Sequence, residues 1–339
     1  MTDSMRAAML PYDNRGRTAH PGLWFERFLQ GQGQQEDKTS FYASLVDECS
    51  RIEPPELYAA HFARWLAALD GLGVRPRKAT VTYRLAAGHS GETVIETGIR
   101  LHHTYGVPII PGSSLKGVAA SYANQQLKGD WAKTQRAHEA LFGATTTAGH
   151  VTFFDALPLP GDWKLLPDVI TVHHPNYYQA ETNPPPPADW DSPTPIPFLA
   201  ARGTFLIALR GPEEWAETGY DILERALDAL GVGGKTSSGY GRLRLEKKPL
   251  PRLEEGVVIR AVVDQVAGGD VVLSLNEPLL MGIPPGMALN VYIPHEQVGN
   301  HQWIVGREVR CFVESVTEDW DEEPPVLNVA CRRAKQGEQ

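Results

Sequence analysis

An α+β body followed by a small all-β barrel is the fold class that this 339-residue sequence predicts. Three observations carry it. From Ala79 to Leu245 the elements run strand, helix, strand, strand, helix, strand, the ferredoxin-like (RRM-like) succession that gives an antiparallel sheet with two helices on one face. After Glu254 come five short apolar-rich runs separated by Gly, Pro, Asn and Asp, the texture of a small barrel of OB or S1 type. The length exceeds one average domain and suffices for two cores.

Each element has its own reason. Residues 1–76 read mainly as helix: Leu57, Tyr58, Phe62, Trp65, Leu66 and Leu69 share one helical stripe, and Gly71, Gly73 and Pro76 stop it. This segment is expected to pack on the body at 77–250. Lys78–Ala86 alternates small or apolar side chains with polar ones and reads as a strand. Thr93–Leu101 is expected to pair with it across the Gly88–Gly91 turn. Pro111-Gly112 turns the chain into a helix with Ser113 as N-cap and Leu115, Val118, Ala119 and Tyr122 inward. Val151–Phe154 is a short strand. Ala156–Leu199 reads as irregular, and residues 157–200 as a proline-rich insertion. Its segment Asn183–Pro197 holds seven prolines in fifteen residues, which predicts a stiff surface loop outside the sheet. Trp190 and Phe198 are costly to leave exposed, so part of it is expected to pack. Gly203–Leu209 is a strand. Pro212, Glu213 and Glu214 open a helix with Ile222, Leu223, Ala226, Leu227 and Leu230 inward, ended by Gly231. The strand Tyr240–Leu245 closes the body. The barrel, at 254–335, uses Val257–Val266, Val271–Leu275, Ala288–Ile293, Arg307–Val316 and Val326–Ala330.

Composition narrows the function classes. The net charge of −9 argues against a nucleic-acid partner, but the acids are unevenly placed. From Glu254 onward there are 6 Lys/Arg and 14 Asp/Glu, a net of −8, whereas the preceding residues are nearly neutral. The acidic barrel therefore reads as a protein interface, or a domain kept off nucleic acid. Cys49, Cys311 and Cys331 are far apart with no C-x-x-C pair, so no disulfide framework or thiolate metal site is indicated. No apolar run spans a membrane and no signal-peptide pattern opens the chain, which makes the cytoplasm the default compartment.

The most specific stretch is Gly231-Val-Gly-Gly-Lys-Thr-Ser-Ser-Gly-Tyr-Gly-Arg242. Lys235-Thr236 after Gly234 imitates the end of a P-loop. The required first glycine is Ala229, and the order is helix, loop, strand rather than strand, loop, helix. ATP binding is thus disfavoured, and no cofactor is expected. Glycines that let N–H groups converge make an anion nest; Gly233, Gly234, Lys235, Thr236, Ser237, Ser238, Tyr240 and Arg242 supply backbone, charge and hydroxyls for phosphate. The plain alternative is a glycine-rich turn. A second candidate is the helix start at Ser113, Ser114 and Lys116, an anion site by geometry and dipole or else an ordinary capped helix. Arg242, Arg244, Lys247, Lys248 and Arg252 form a basic strand end beside the first loop, suited to RNA backbone.

Pro111-Gly-Ser-Ser-Leu-Lys-Gly117, Leu141-Phe-Gly143, Gly149–Ala156 and the Gly231–Gly241 loop together resemble the RAMP superfamily of CRISPR proteins over residues 77–248. His173-His174-Pro-Asn-Tyr177-Tyr178 and Pro195-Ile-Pro-Phe198-Leu narrow the resemblance to the sixth-subunit family of type III-B Cmr effector complexes. The resemblance implies a non-catalytic backbone subunit near the end of the complex that holds the 3′ part of the guide (CRISPR) RNA. Guide RNA, target RNA and other Cmr RAMP subunits are the implied partners, in antiviral defence. Target cleavage in such complexes belongs to a sister subunit, through an aspartate between its first strand and the Pro-Gly-Ser-Ser-Leu-Lys-Gly motif. Here that interval holds only Glu92 and Glu96. The resemblance does not extend to the C-terminal barrel.

An enzymatic reading competes. His102, His103, His173 or His174 would serve as general acid/base for metal-independent RNA cleavage, as in guide-processing RAMP endoribonucleases. Adjacent histidines on an extended chain point to opposite sides, and no partner is visible in sequence. His173 beside Tyr177 and Tyr178 fits RNA contact or packing better, and no catalytic residue is assigned. Asp155 reads as a turn or hydrogen-bonding residue; with no second carboxylate nearby, no metal site is expected.

Overall fold

The computed structural model describes residues 20–26, 38–53, 55–89, 97–174, 177, 183, 185–191, 193–247, 249, 252–275, 283, 287–299, 301–319 and 321–338. The chain divides into two compact units, Met1–Ala59 with Pro76–Lys247 and Ala60–Arg75 with Lys248–Gln339. Ala60–Arg75, part of the segment expected to pack on the body, is thereby grouped with the C-terminal unit.

The first unit contains helices α1 (Pro21–Glu26) and α2 (Lys38–Ser50), and the division falls within α3 (Glu56–Gly71). Then follow β1 (Arg77–Val81), α4 (Gly112–Tyr122), α5 (Arg136–Phe142), β2 (Thr152–Phe153), β3 (Leu157–Val172), β4 (Thr194–Ile207), β5 (Leu209–Arg210), α6 (Glu213–Ala229) and β6 (Leu243–Leu245). Four strands form one sheet in the order β3-β4-β1-β6, each neighbouring pair antiparallel. β2 and β5 form a separate two-stranded ladder. α6 buries Tyr220, Ile222, Leu223, Ala226 and Leu227, and its first-turn Glu213 and Glu214 sit at the positive end of the helix dipole. α4 buries Leu115 and Ala119 and packs against α6. β1 presents Ala79 and Val81 to the core. Its first residue, Arg77, is buried, stacks 4.0 Å from the Tyr220 ring and pairs with both oxygens of Glu217 at 2.6 and 2.5 Å. That pair ties β1 to α6, and removing Glu217 strands a buried guanidinium.

Several expectations are corrected here. Residues 156–199 are not irregular: β3 and the first part of β4 form a long hairpin through them. Prolines fit because they sit where no ladder donor is needed. Pro158, Pro160 and Pro167 lie on β3, an edge strand, with a register shift between Pro158 and Trp163. Pro195 and Pro197 lie on a stretch of β4 beyond β1, which pairs only with Thr204–Ile207. Trp190 does not pack, being 89% exposed, whereas Phe198 is fully buried. Leu57, assigned to the apolar stripe of α3, is exposed. β1 ends at Val81, and only Leu85 and Ala86 resume pairing, as single bridges to Ala201 and Gly234. The expected partner strand Thr93–Leu101 falls partly outside the described residues, as do Gly91, Glu92 and Glu96. Its described end does not extend β1; Leu101 bridges Pro108 instead.

The second unit is built on a closed five-stranded barrel: β7 (Val258–Ala267), β8 (Asp270–Leu275), β9 (Ala288–Ile293), β10 (Glu308–Asp319) and β11 (Val326–Arg333). A short helix, α7 (His295–Val298), joins β9 to β10. Around the barrel the order is β7-β8-β9-β11-β10, with β10 returning to β7. Only the β9–β11 ladder is parallel. Alternate residues fill the interior, among them Ile259, Ala261, Val263, Leu273, Val291, Val313 and Val329. Cys311 and Cys331 are free thiols in this core, and burial pushes both up to about 12. Cys49 is also free and buried. Among the described residues no helix is long and apolar enough to cross a membrane.

Candidate nucleic-acid interface

The Gly231–Gly241 loop joins α6 to β6 and is held by backbone bonds on both flanks. Val232 N–H donates to Gly241 O at 2.8 Å, Gly234 N–H to Ala86 O at 2.7 Å, and Gly241 N–H to Arg84 O at 2.7 Å. Gly241 has φ +68°, and a Cβ there would run into the Val232 carbonyl oxygen. Between these anchors Lys235 takes a left-handed conformation, φ 57° and ψ 30°, ahead of a single 3-10 turn at Thr236–Ser238. A lysine is uncommon in that region of backbone space, and such strain gathers at functional loops. The turn uses the N–H groups of Ser238 and Gly239. Those of Lys235, Thr236 and Ser237 have no backbone acceptor among the described residues.

Aromatic rings and one carboxylate fix what surrounds Lys235. Its Nζ lies 5.7 Å from the Phe198 ring centre and 5.8 Å from that of Tyr240, within cation–π range. Tyr240 donates its hydroxyl to Asp168 Oδ2, which also accepts from Arg84 Nη1 at 2.7 Å. Burial, then the bond to Asp168, drives the Tyr240 hydroxyl well above the ordinary tyrosine range, so it stays a donor. Tyr83, 53% exposed, stands edge-on to Tyr240 at 5.6 Å. His89 stands edge-on to Phe198 at 4.9 Å; burial and then Lys235 lower its pKa, keeping the ring neutral. The result is a cation on a bed of rings, beside open N–H groups and an exposed tyrosine. A phosphate and a neighbouring base suit it. Tyr83, Arg84, His89 and Asp168 were not singled out from sequence; a Tyr-Arg pair at the end of a strand beside the glycine loop was the available signal.

The start of α4 is different. Pro111, not Ser113, occupies the cap position, and no side chain of the helix caps it. The Gly112 N–H donates instead to Asp155 Oδ1 at 2.7 Å, from the segment after β2. A carboxylate of the protein already holds the place where a phosphate was expected. Gly112 permits this approach, since a Cβ would collide with the Phe153 carbonyl oxygen. Ser113 is exposed, and Ser114 and Lys116 are half-buried.

The remaining expected residues scatter. Arg242 turns its guanidinium to the Asp228 carbonyl oxygen at the end of α6. Lys247 pairs with Glu224 at 4.0 Å, and Arg252 with Asp70 and Glu254. Arg242, Lys247 and Arg252 of the basic strand end are thus tied to carboxylates and a carbonyl, Arg244 is exposed, and Lys248 lies outside the described residues. His173 is exposed at the end of β3, five residues beyond Asp168, which is about 16 Å along a strand. Tyr178 lies outside the described residues. Ser113, Ser114, Lys116 and His173 share no hydrogen bond, ion pair or ring contact with the glycine loop among the described residues. His174, by contrast, has a partner that sequence did not suggest: its Nδ1 is 2.8 Å from Asp191 Oδ2. His102 Nδ1 accepts from Thr104 N–H, and His103 accepts through its carbonyl from His20. No group of three His, Cys, Asp or Glu among the described residues is arranged to hold a metal ion.

Comparison with known proteins adds four findings. A family model described as the RAMP superfamily matches residues 78–244. The CRISPR system Cmr subunit Cmr6 of Pyrococcus furiosus is 33% identical, over 56% of this chain and 73% of that protein. The CRISPR system CMR subunit Cmr6 of Saccharolobus solfataricus is 28% identical, over 46% of this chain and 51% of its own length. In the cryo-EM structure of the Type III-B Cmr-beta bound to cognate target RNA, one chain superposes with a TM-score of 0.50. It is 24% identical and the match covers 64% of this chain and 77% of that one, a likeness of fold.

Proposed function

Because the chain belongs to the RAMP superfamily and, within it, to the Cmr6 proteins, we propose that it is a non-catalytic, RNA-binding structural subunit of a type III-B CRISPR effector complex. It contacts the backbone of the guide RNA near its 3′ part, with target RNA and neighbouring RAMP subunits as its other partners, in cytoplasmic antiviral defence. The observation that carries this reading is Lys235, strained into a left-handed conformation over Phe198 and Tyr240 beside open N–H groups. Specificity comes from guide pairing, so the protein needs phosphate contacts and ring platforms rather than base-edge readers.

The fold supports the same assignment. The strand order β3-β4-β1-β6 with α4 and α6 between strands supports reading 77–250 as a ferredoxin-like domain. In the barrel, assigned to 254–335, the first strand pairs with the second and fourth and the third runs parallel to the fifth. That order supports our reading of the barrel as an OB or S1-like module.

RNA affinity of the assembled complex, measured across salt after Lys235→Ala and Lys116→Ala, tests the cradle. A loss of about tenfold and a shallower salt slope are expected from Lys235→Ala. If neither substitution changes affinity or slope, the cradle is wrong. The pairing of His174 with Asp191 favours one competing reading, a RAMP endoribonuclease that processes guide RNA with a histidine general acid/base. A discrete metal-free cut of precursor RNA that disappears with His174→Ala would establish it in place of the binding-only role.

A further inference from the structure

The barrel's net charge of −8 conceals a sharp segregation. Of its six Lys/Arg, five (Arg307, Arg310, Arg332, Arg333 and Lys335) line one cavity of about 760 Å³, with Glu308 as the sole acid on its wall. Only Arg260 lies elsewhere. The domain's acids neutralise only part of this wall: Glu338 and Glu314 engage Arg332, and the other four cations keep the surface positive. The cavity lies where β10 begins and β11 ends, on the side reached by the α7–β10 connection and at the opposite end of β10 from the β10–β11 turn.

Its chemistry is specific. Four of the five cations are guanidinium groups, which grip oxyanions with two parallel donors. The protein already shows one such grip: Arg332, lying 4.0 Å from the Phe312 ring, holds both oxygens of Glu338 at 2.8 and 3.0 Å. Arg310 donates to the Glu338 carbonyl. Arg307 and Arg333 are exposed and have no carboxylate partner among the described residues. Trp303 stands in the same wall, its indole fixed by donation to Val298 O at 3.1 Å, with His301 edge-on at 6.4 Å. Ile304, 48% exposed, continues the apolar surface. Cations alone suit any polyanion; cations flanking an oriented indole suit a chain of phosphates whose bases stack. The volume admits a stretch of roughly one or two nucleotides rather than a duplex.

We propose that this cavity is a second RNA-binding site, one that takes single-stranded RNA through phosphate contacts to Arg307 and Arg333 and base stacking on Trp303. The acidic remainder of the barrel repels RNA and confines it to this one groove. The site is independent of the glycine loop, and the test keeps the two apart. Affinity of the full chain for a short single-stranded oligoribonucleotide of mixed sequence is measured across salt for the unaltered protein, for Arg307→Ala/Arg333→Ala and for Lys235→Ala. The double variant is expected to lose about tenfold or more and to lower the salt slope by about one to two. Lys235→Ala reports on the glycine loop alone. Photo-crosslinking of the unaltered chain is expected to place RNA on peptides containing Trp303 or Arg333. Unchanged affinity and slope in the double variant, or crosslinks confined to residues 77–247, overturn the proposal. So does polyglutamate that binds more tightly than RNA and is released by the same double variant, since the groove then serves an acidic protein.

Discussion

The glycine loop and the start of α4 carry nearly the same local signal, yet the structure treats them in opposite ways. Both offer glycine, serine and lysine around backbone N–H groups. In the glycine loop three N–H groups stay open and Lys235 is set over two rings. At α4 the Gly112 N–H is taken by Asp155, which lies 43 residues further along the chain. An anion site is therefore defined less by its own donors than by whether the fold has already supplied an anion. The difference separates a loop with open donors from a helix start whose first donor is already engaged.

Four measurements break or sharpen that contrast. The largest effect is expected from Gly241→Ala, which combines a collision with Val232 and a left-handed backbone. It should cost about 3 kcal/mol or more in denaturant unfolding, and a stability near that of the unaltered protein would mean the loop is not fixed as described. Next comes Asp168→Ala. It deprives Arg84 and Tyr240 of a shared acceptor and should cost about 1.5–3 kcal/mol while weakening RNA binding, because the ring bed under Lys235 loosens. Smaller again, Asp155→Ala should lower stability by about 1 kcal/mol, the usual worth of a helix cap. It should also create an anion site at α4, read as tighter RNA binding that Lys116→Ala then reverses. No gain in binding would show that the two loops differ by more than one carboxylate.

The smallest effect concerns pH. The folded-state pKa of His89 lies below its ordinary 6.5, through burial first and Lys235 second. The unfolded chain therefore takes the proton before the folded one does. Stability from the neutral ring is complete above about pH 6.5 and declines as pH falls from there toward the folded value. His89→Gln should flatten this decline in a series of urea midpoints, and an identical slope in the variant would remove His89 from the account. The barrel behaves otherwise: Glu338 is held down to about 2 by its bonds to Arg332. Its contribution persists until much lower pH.

How much of this was legible follows from the range of the interactions. The five barrel strands could be read because inward and outward residues alternate along most of each strand, with shifts only at Val263/Gln265 and Val313/Ser315 among the described ladders. The apolar face of α6 was equally plain. The β3–β4 hairpin was not, because proline signals a missing donor but not whether that donor faces a neighbour or solvent. The glycine loop itself was visible, but its setting was not. Asp168 lies 84 residues from Arg84 and 72 from Tyr240, so nothing near the loop in sequence announces the carboxylate that orders it. The basic strand end misled for the same reason: Asp228 and Glu224, which engage Arg242 and Lys247, come from the preceding helix. Charge totals failed at both scales, hiding a near-neutral body behind −9 and a basic groove behind −8.

The grouping of Ala60–Arg75 with the barrel rather than with the body carries a consequence for biosynthesis. On the ribosome this piece emerges before the whole of Pro76–Lys247, and the strands of its own unit follow only afterwards. At ordinary elongation rates the interval is on the order of ten seconds or more, long compared with the folding of a small domain. Phe62 and Leu69 of this piece are buried in the finished protein, and whatever cover the later strands supply arrives only after that interval. Translation speed across the body, and the chaperones that meet the nascent chain there, thereby become determinants of how much correctly folded protein a cell obtains.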